Sequence, residues 1–324
     1  MTSARPHRFS CSSHTTSSCE CSYHFANIIG TGAFSTVYRA TDDTTNLEVS
    51  IKVVTSGHDT FFSGMKEVQL LQSMESVHIV TFVRSFISRE HLFIVTELLG
   101  QNFRQHYESL SDEHRIAYYS EAMLKHLFRD VLLGVSFIHQ NGIIHCDIKP
   151  DNICMINGRF KIIDMGSAVT IHDTLYSYIQ SRWYRAPEVM LGAPCNNKID
   201  CWGAGLSVIE ILIGAVVFHQ STVEAMLAAQ IAVCGPMPQW LVDINLDLSR
   251  MFFTDNNMVY QIHENQAYIL EPRTDVQLNV LISNAVDDNY GDVNGIVDLM
   301  SSLIVLDPNL RLTADDALAH AWLQ

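Results

Sequence analysis

Basic residues are scarce in this sequence of 324 residues. Lys and Arg total 20 against 35 Asp and Glu, so the formal net charge is -15. A charge of that sign is repelled by nucleic acid and by anionic membrane surfaces, and it argues against non-specific binding to either. It suits a basic or neutral partner instead. We therefore expect a protein that binds neither nucleic acid nor membrane.

Long apolar runs and a regular cysteine framework are also missing. The longest apolar run, residues 203–218, is shorter than the roughly 20 residues that span a membrane and contains Glu210, so it predicts a buried core helix. The eight cysteines are irregularly spaced, and no apolar signal segment occurs near the N-terminus. We therefore expect an intracellular protein, in the cytoplasm, the nucleus or both, that acts as a monomer.

Residues 1–24 are rich in Ser, Thr, Cys and His and show no periodicity. Such a composition predicts a flexible N-terminal tail. A metal is an alternative reason for the composition, but the spacing fits no zinc pattern. The residues concerned are Cys11, His14, Cys19, Cys21 and His24.

Two regions of different periodicity follow the tail. From residue 25 to 97, short β-branched and aromatic runs separated by turn residues predict strands, with one helix among them. From residue 98 to 324 helical patterns dominate. The sequence thus predicts an α+β fold, with a small, mainly antiparallel β lobe before a larger helical lobe. Residues 242–295, rich in Asp and Asn and containing a hairpin-like stretch, are interpreted as an insertion in the second lobe.

The first lobe contains a glycine-rich turn followed by a strand lysine. Gly30 and Gly32 would let backbone amides approach phosphates closely, although an ordinary hairpin turn is the alternative. Lys52 lies between apolar neighbours and needs an anion, for which Glu67 on the following helix is a candidate. The alternative is that Lys52 extends to solvent.

Carboxylates and an amide follow two short apolar segments in the second lobe. Asn152, in the stretch "IIHCDIKPDN", and Asp164, in "FKIIDMGSA", offer oxygen ligands of the kind that Mg²⁺ prefers. Asp147 is then free to accept or orient a hydroxyl proton. Lys149 would place positive charge beside a transferred phosphoryl group.

Seven ordered motifs resemble those of eukaryotic protein kinases. They are the glycine turn, Lys52, Glu67, "HCDIKPDN", "DMG", "APE" and "DCWGAG", and the resemblance covers about residues 25–323. It implies a two-lobed protein-kinase fold, ATP and Mg²⁺, protein substrates and serine/threonine kinase activity. A pseudokinase, which would bind ATP or act as a scaffold without chemistry, is the alternative.

The resemblance also implies a role for each matching residue. Asp147 would orient the acceptor hydroxyl, and Lys149 would steady the moving phosphate. Asn152 and Asp164 would hold Mg²⁺. The residues expected to bind the nucleotide are Ile29, Gly30, Gly32, Val37, Lys52, Glu67, Glu97 and Leu99.

Scaffold roles are implied for four further residues. His145 is expected to be structural. Glu188 is expected to pair with Arg311. Asp200 is expected to tie the helical core to the stretch "HCDIKPDN", which matches the catalytic loop of the family.

The stretch "YSYIQSRWYRAPE" resembles the cyclin-dependent-kinase-like group, nearest to dual-specificity tyrosine-regulated kinases, with homeodomain-interacting and splicing-associated kinases close. This likeness implies self-phosphorylation of Tyr178, whose phosphate Arg182 and Arg185 would receive. Asp151 stands where relatives place an acid that favours arginine before the phosphoacceptor. We therefore expect substrates with basic residues near the acceptor.

Three residues depart from the kinase pattern. Ser35 replaces the third loop glycine, and Met165 replaces the usual Phe of the metal-binding triplet. Cys146 replaces an arginine that commonly binds an activation-segment phosphate. We interpret Cys146 as a small packed side chain, with a redox switch as the alternative.

Overall fold

A computed structural model describes residues 8–10, 22–32, 34–55, 57–111, 119–173, 179–264, 266–271, 276–286 and 290–324. The chain divides into two compact units. The first contains Met1–Gly100 and Cys154–Gly166, and the second contains Gln101–Ile153 and Ser167–Gln324. The sequence predicts a boundary after residue 97 and does not group residues 154–166 with the first part, so the two divisions differ at both places.

The described part of the first unit has a six-stranded antiparallel sheet in the order β1-β2-β3-β4-β6-β5. Register shifts between β2 and β3 occur on the approach to the glycine turn, as expected where a strand must bend. The strands are β1 (Arg8–Ser10), β2 (Ser22–Thr31), β3 (Ser35–Asp42), β4 (Glu48–Val54), β5 (Phe82–Ser88) and β6 (His91–Glu97).

The predicted tail differs from the structure where the two can be compared. Residues 8–10 pair with residues 22–24 of β2, so a strand lies inside the stretch expected to be flexible. Of the residues named for a metal in the tail, Cys11, His14, Cys19 and Cys21 lie outside the described residues.

One face of the sheet is apolar and the other faces α1 (His58–Ser73). Ile51 is buried in an apolar cluster with Tyr23 and Phe93. Because neighbouring side chains of a strand point to opposite faces, Lys52 projects away from that cluster. Helix α1 buries Glu67 and Gly64, and a Cβ at Gly64 would lie 2.8 Å from Leu92. This close packing of helix on sheet brings Glu67 to the face that carries Lys52.

A hairpin later in the chain belongs to the first unit from Cys154 onward. Its strands are β8 (Ile153–Ile156) and β9 (Arg159–Ile162), joined by Asn157 and Gly158, both with positive φ, as a tight two-residue hairpin turn requires. Ile162 forms a parallel bridge with Ile79, and the N–H of Gly100 donates to the carbonyl of Met155 at 3.1 Å. These bonds position Asp164, which follows β9.

The described part of the second unit is mainly helical. Helix α5 is buried along most of its length and packs against α3, α9 and α10, so the predicted core helix is confirmed. None of the described helices is long and apolar enough to cross a membrane. The helices are α2 (Phe103–Ser109), α3 (Glu121–Gln140), α4 (Pro187–Met190), α5 (Lys198–Ile213), α6 (Val223–Cys234), α7 (Gln239–Asp243), α8 (Leu246–Ser249), α9 (Leu278–Ala285), α10 (Val293–Leu303) and α11 (Ala314–Leu318).

Two further short strand pairings occur in the described part of the second unit. Strand β7 (Ile143–Ile144) pairs with β10 (Val169–Thr170) and leads into the stretch that contains Asp147. Within residues 242–295, β11 (Tyr260–His263) and β12 (Gln266–Ile269) form the antiparallel hairpin that the sequence indicated. The α+β prediction, an antiparallel β part followed by a helical part, is confirmed.

Candidate active site

The glycine-rich turn connects β2 and β3 in the first unit. Gly30 lies opposite Val37, and the N–H of Gly32 donates to the carbonyl of Ser35 at 2.8 Å. Among the described residues, a Cβ on Gly30 would meet Val37, at an ordinary contact distance of 3.6 Å. Ile29 is exposed beside the turn. The structure thus places Ile29 and Gly30 at the end of β2, Gly32 in the turn that follows, and Val37 in β3.

Lys52 lies between two carboxylates of the same unit. Its Nζ donates to the two carboxylate oxygens of Glu67 at 2.9 and 2.8 Å and to Oδ1 of Asp164 at 2.7 Å. Burial alone would lower the pKa of Lys52, but the two carboxylates outweigh it and raise the pKa above its ordinary value. Lys52 therefore stays charged and paired, and it does not extend to solvent.

Asp164 is the exposed member of this cluster. Its side chain is 44% accessible, against 5% for Glu67, and its backbone has a φ of 65°. Gly166 makes room for the arrangement, since a Cβ there would lie 3.1 Å from Oδ1 of Asp164 and 3.5 Å from the Lys52 amine. A carboxylate held beside a lysine and open to solvent can bind a cation or a cation-bound phosphate.

Glu97, predicted to bind nucleotide, uses its carboxylate inside the protein. Oε1 accepts from the Nζ of Lys161 at 2.5 Å and from the N–H of Thr81 at 2.7 Å. A ligand at the end of β6 would therefore meet backbone rather than this carboxylate. Leu99, two residues on, is partly buried.

In the second unit, Asp147 is held by donors from two chain segments. Its Oδ1 accepts from the hydroxyl of Ser181 at 2.7 Å and from the N–H of the same residue at 3.1 Å. Its Oδ2 accepts from Lys149 at 2.7 Å, and the Lys149 amine also donates to the Ser181 hydroxyl at 2.7 Å. The carboxylate of Asp147 is thereby fixed in orientation next to a positive charge.

Asn152 lies at the end of the same loop and binds Asp147. Its side-chain amide donates to the carbonyl of Asp147 at 2.9 Å and to Oδ2 of the same residue at 3.1 Å. Because the Nδ2 hydrogens are used in this way, the amide oxygen is the atom that can face a cation.

A buried aspartate supports this loop from helix α5. Asp200 accepts from the N–H of His145 at 2.8 Å and from the N–H of Cys146 at 2.9 Å. The His145 ring in turn accepts from the N–H of Asp147 at 3.2 Å. A Cβ on Gly203 would lie 2.6 Å from the carbonyl of Ile148, so the loop sits directly on the helix backbone.

Cys146 is fully buried and its backbone φ is 64°. The thiol lies 3.6 Å from the carbonyl of Ile144. A small side chain fits this enclosed position, and its burial keeps the sulfur from oxidants.

Tyr178 lies outside the described residues. The two arginines predicted to receive its phosphate are described. Arg182 donates to the carbonyl of Ser221 at 2.9 Å, and the buried Arg185 donates to the carbonyls of Ile179 and Gln180, both at 2.9 Å. Arg185 thus holds the backbone that directly follows Tyr178.

Two site features were missed in the sequence. The first is Ser181, whose only sequence signal is a hydroxyl in "IQSRWYR". The second is an acidic cluster around Arg104. Its Nε donates to both oxygens of Asp151 at 3.0 Å, and its Nη2 lies 2.9 Å from Glu210.

The comparisons agree with this geometry. The family model described as "Protein kinase domain" matches residues 23–323. The chain belongs to the protein kinase domain family. The resemblance inferred from the motifs is confirmed at this level, and such a domain implies protein substrates, ATP and usually Mg²⁺.

Similar curated proteins are kinases. The chain is 27% identical to the serine/threonine-protein kinase ppk5 of Schizosaccharomyces pombe, over 93% of this chain and 36% of that protein. It is 28% identical to dual specificity tyrosine-phosphorylation-regulated kinase 4 of Homo sapiens, over 93% and 57%. It is also 28% identical to the serine/threonine-protein kinase prp4 of Schizosaccharomyces pombe, over 91% and 65%. The chain therefore spans about one third to two thirds of the length of these relatives.

Proposed function

We propose that this chain is an ATP-dependent protein serine/threonine kinase, which transfers the γ-phosphate of ATP to hydroxyls of protein substrates. The observation that carries the proposal is the closed set of hydrogen bonds among Asp147, Lys149 and Ser181. A carboxylate oriented in this way can take the proton of a hydroxyl group. The amine beside it can stabilise charge on a transferred phosphoryl group.

The residues of the chain fit ATP and Mg²⁺. Lys52 is a charged donor beside the glycine turn, and the accessible carboxylate of Asp164 and the amide oxygen of Asn152 are oxygen ligands suited to Mg²⁺. When bound, Mg²⁺ supplies positive charge to the β- and γ-phosphates. We assign Asn152 and Asp164 to the metal. We assign to the nucleotide Ile29, Gly30, Gly32, Val37, Lys52, Glu67, Leu99 and the backbone of Glu97.

In the proposed reaction the substrate hydroxyl oxygen attacks the γ-phosphorus. A new oxygen–phosphorus bond forms, and the bond to the oxygen that bridges the β- and γ-phosphates breaks, releasing ADP. Asp147 accepts the hydroxyl proton, while Lys149 stays paired with the same carboxylate and offsets the negative charge.

The pseudokinase alternative is not supported by the comparisons, in which the similar proteins carry kinase names. The groups that the chemistry requires are also present together: Lys52 with Glu67 and Asp164 in one unit, and Asp147 with Asn152 in the other.

Self-phosphorylation of Tyr178 is part of the proposal. The dual specificity kinase among the relatives and the contacts of Arg185 with the residues after Tyr178 support it. Mass spectrometry of protein expressed in bacteria should find phosphate on Tyr178 in the wild type and none in the Asp147→Asn variant. An active enzyme without this phosphate would exclude self-phosphorylation.

We also propose an intracellular location, in the cytoplasm, the nucleus or both, and action as a monomer on protein substrates. The five cysteines that the structure describes are free thiols, which agrees with a reducing compartment. The net charge of -15 favours encounter with basic proteins.

The activity is tested by phosphate incorporation into a serine/threonine peptide library with Mg-ATP. The wild type should transfer phosphate, and Asp147→Asn should reduce the rate by about 10²–10⁴-fold, since it removes the proton acceptor without a change in size. The matched control is Asp255→Asn, at an exposed aspartate of the same unit, which should leave the rate unchanged. Equal rates for the wild type and Asp147→Asn would refute the proposed function.

A further inference from the structure

Arg104 is the second residue of helix α2, and acceptors of its own unit surround its guanidinium group. Its Nε donates to both oxygens of Asp151 at 3.0 Å, and its Nη2 lies 2.7 Å from the hydroxyl of Tyr184 and 2.9 Å from Oε1 of Glu210. The Tyr184 hydroxyl donates to the other oxygen of Glu210. Each of the four carboxylate oxygens therefore already has a donor from within the chain.

Arg104 is held in this position by its helix. The side chain of Asn102 accepts from the N–H of Gln105 at 2.9 Å, and the side chain of Gln105 accepts from the N–H of Asn102 at 3.2 Å. This reciprocal cap fixes the first turn, and the buried Phe103 anchors it. Because the helix already holds Arg104 in place, its guanidinium group loses little conformational entropy when it binds Asp151 and Glu210. Binding of Arg104 is therefore favoured over binding of a mobile arginine from a substrate.

The cluster of Arg104, Asp151, Tyr184 and Glu210 is close in sequence to the proposed reaction centre, because two of its members follow residues of that centre by a few positions. Asp151 follows Asp147 by four residues, a distance that a fully extended chain spans in at most about 14 Å. Tyr184 follows Ser181, the hydroxyl partner of Asp147, by three residues. A peptide whose hydroxyl lies at Asp147 therefore reaches this cluster with a side chain within about four residues of the acceptor.

The acids would attract a cation if Arg104 were absent. The Glu210 side chain is only 10% accessible, and its burial is the main reason that its pKa is raised, although Arg104 opposes the shift. The cluster borders a cavity of about 310 Å³ that is also lined by Tyr107, Pro150 and Val216. A substrate side chain thus has space beside Glu210, and Arg104 neutralises this acid and Asp151 together.

We propose that Arg104 is a built-in occupant of the acidic site formed by Asp151 and Glu210, and that it prevents this site from selecting substrates with an arginine near the acceptor. The inference rests on the proposed kinase function. It replaces the expectation that Asp151 favours arginine in the substrate. Asp151 is already paired with Arg104 within the protein, so the enzyme does not require a basic residue in the part of the substrate that reaches Asp151.

The test compares peptides with one serine acceptor. A parent peptide has alanine at the four positions on each side of the serine, and each variant peptide has a single arginine at one of them. The ratio of kcat/KM for the best arginine peptide to that for the parent should be near one for the wild type. Arg104→Met frees both oxygens of Asp151 and Oε1 of Glu210 from their arginine partner. It should raise the ratio about tenfold or more, because hydrogen bonds between charged groups have that effect. Arg250→Met, at an exposed arginine of the same unit, is the matched control and should leave the ratio unchanged.

A second variant decides the question even if Arg104→Met folds poorly. Asp151→Asn should not change the ratio in an otherwise wild-type protein, because Asp151 is paired with Arg104 and not with the substrate. A wild-type ratio of ten or more that Asp151→Asn abolishes would overturn the proposal, and so would a folded Arg104→Met protein whose ratio stays near one.

The two proposals fail in distinguishable ways. Phosphorylation of the parent peptide, lost in Asp147→Asn, reports the kinase function alone, whereas the arginine ratio reports Arg104. Calorimetric binding of the same peptides with alanine in place of the serine gives this ratio without turnover. Tighter binding of an arginine peptide by the wild type would contradict the proposal, and tighter binding only by Arg104→Met would support it.

Discussion

Ser181 donates its hydroxyl hydrogen to Oδ1 of Asp147 at 2.7 Å. Lys149 donates to Oδ2 of the same carboxylate and to the Ser181 oxygen, both at 2.7 Å. The three side chains form a closed set, so that a change in any of them alters the orientation of the other two. Ser181 is therefore a positioning residue for the carboxylate that we assign to proton transfer.

Removal of the Ser181 hydroxyl should slow phosphate transfer. In Ser181→Ala, Oδ1 of Asp147 loses its shorter donor, and the carboxylate can rotate away from the acceptor. Because misplacement of a reacting group by about 1 Å costs about 100-fold, we expect kcat to fall by roughly that factor with a smaller change in KM. Ser181→Thr retains the hydroxyl and should keep most of the rate. Steady-state kinetics with Mg-ATP and a peptide substrate measure both constants.

The control for this prediction is Ser301→Ala, at an exposed serine of the same unit, which should behave as the wild type. Wild-type kcat in Ser181→Ala, or equal losses in the alanine and threonine variants, would show that the hydroxyl does not orient Asp147.

Lys52 should be required for nucleotide binding rather than for folding alone. Lys52→Met removes the amine that we assign to the phosphates and leaves Glu67 and Asp164 without their shared cation. Charged hydrogen bonds contribute about 1.5–3 kcal/mol, so the affinity for Mg-ATP should fall about tenfold or more. Isothermal titration calorimetry measures the change directly, with Lys66→Met, at an exposed lysine of helix α1 in the same unit, as the control. Unaltered affinity in a folded Lys52→Met protein would remove Lys52 from the nucleotide site.

The sequence predicted those parts of the site that depend on local patterns. Lys52 was identified because an amine between apolar strand residues needs an anion, and Glu67 because one helix follows that strand. Both lie on elements whose periodicity is visible in short windows. The order of strands and helices was predicted for the same reason.

Features that depend on long-range pairing were not predictable. Ser181 gains its role only because its segment returns to Asp147, and Arg104 only because helix α2 lies beside both Asp151 and Glu210. The placement of residues 154–166 with the first unit depends on the pairing of Ile162 with Ile79. The periodicity of apolar residues predicts local elements, but it does not indicate which distant residues will contact each other.

The buried pair between Arg311 and Glu188 should stabilise the second unit. Two hydrogen bonds of 2.6 and 3.0 Å join the side chains, which are 0% and 1% accessible, and the guanidinium group lies 5.0 Å from the centre of the Trp202 ring. Arg311→Met leaves a buried carboxylate without its partner, which costs about 3–5 kcal/mol. Urea unfolding should show this loss in the free energy of unfolding.

An exposed ion pair supplies the control for this prediction. Arg39 donates to Glu48 at 2.7 Å, but both side chains are about half accessible, so Arg39→Met should leave the free energy of unfolding almost unchanged. Similar losses in the Arg39 and Arg311 variants would show that burial does not determine the contribution of the pair.

The contact between Glu97 and Lys161 should make stability depend on pH. Burial alone would raise the pKa of Glu97, but the hydrogen bonds from Lys161 and Thr81 lower it below its ordinary value. A lowered pKa in the folded state means that the unfolded state binds the proton first as the pH falls. The contribution of Glu97 to the free energy of unfolding is therefore complete above the unfolded pKa of about 4.3, and it is lost as the pH falls through the folded value.

Urea unfolding between pH 7 and pH 3.5 measures this contribution. The difference in the free energy of unfolding between the wild type and Glu97→Gln should be constant near neutrality and should shrink below about pH 4.3. Lys161→Met removes the main donor and should weaken the pH dependence, whereas a difference that stays constant or grows in acid would contradict the assigned role of the pair.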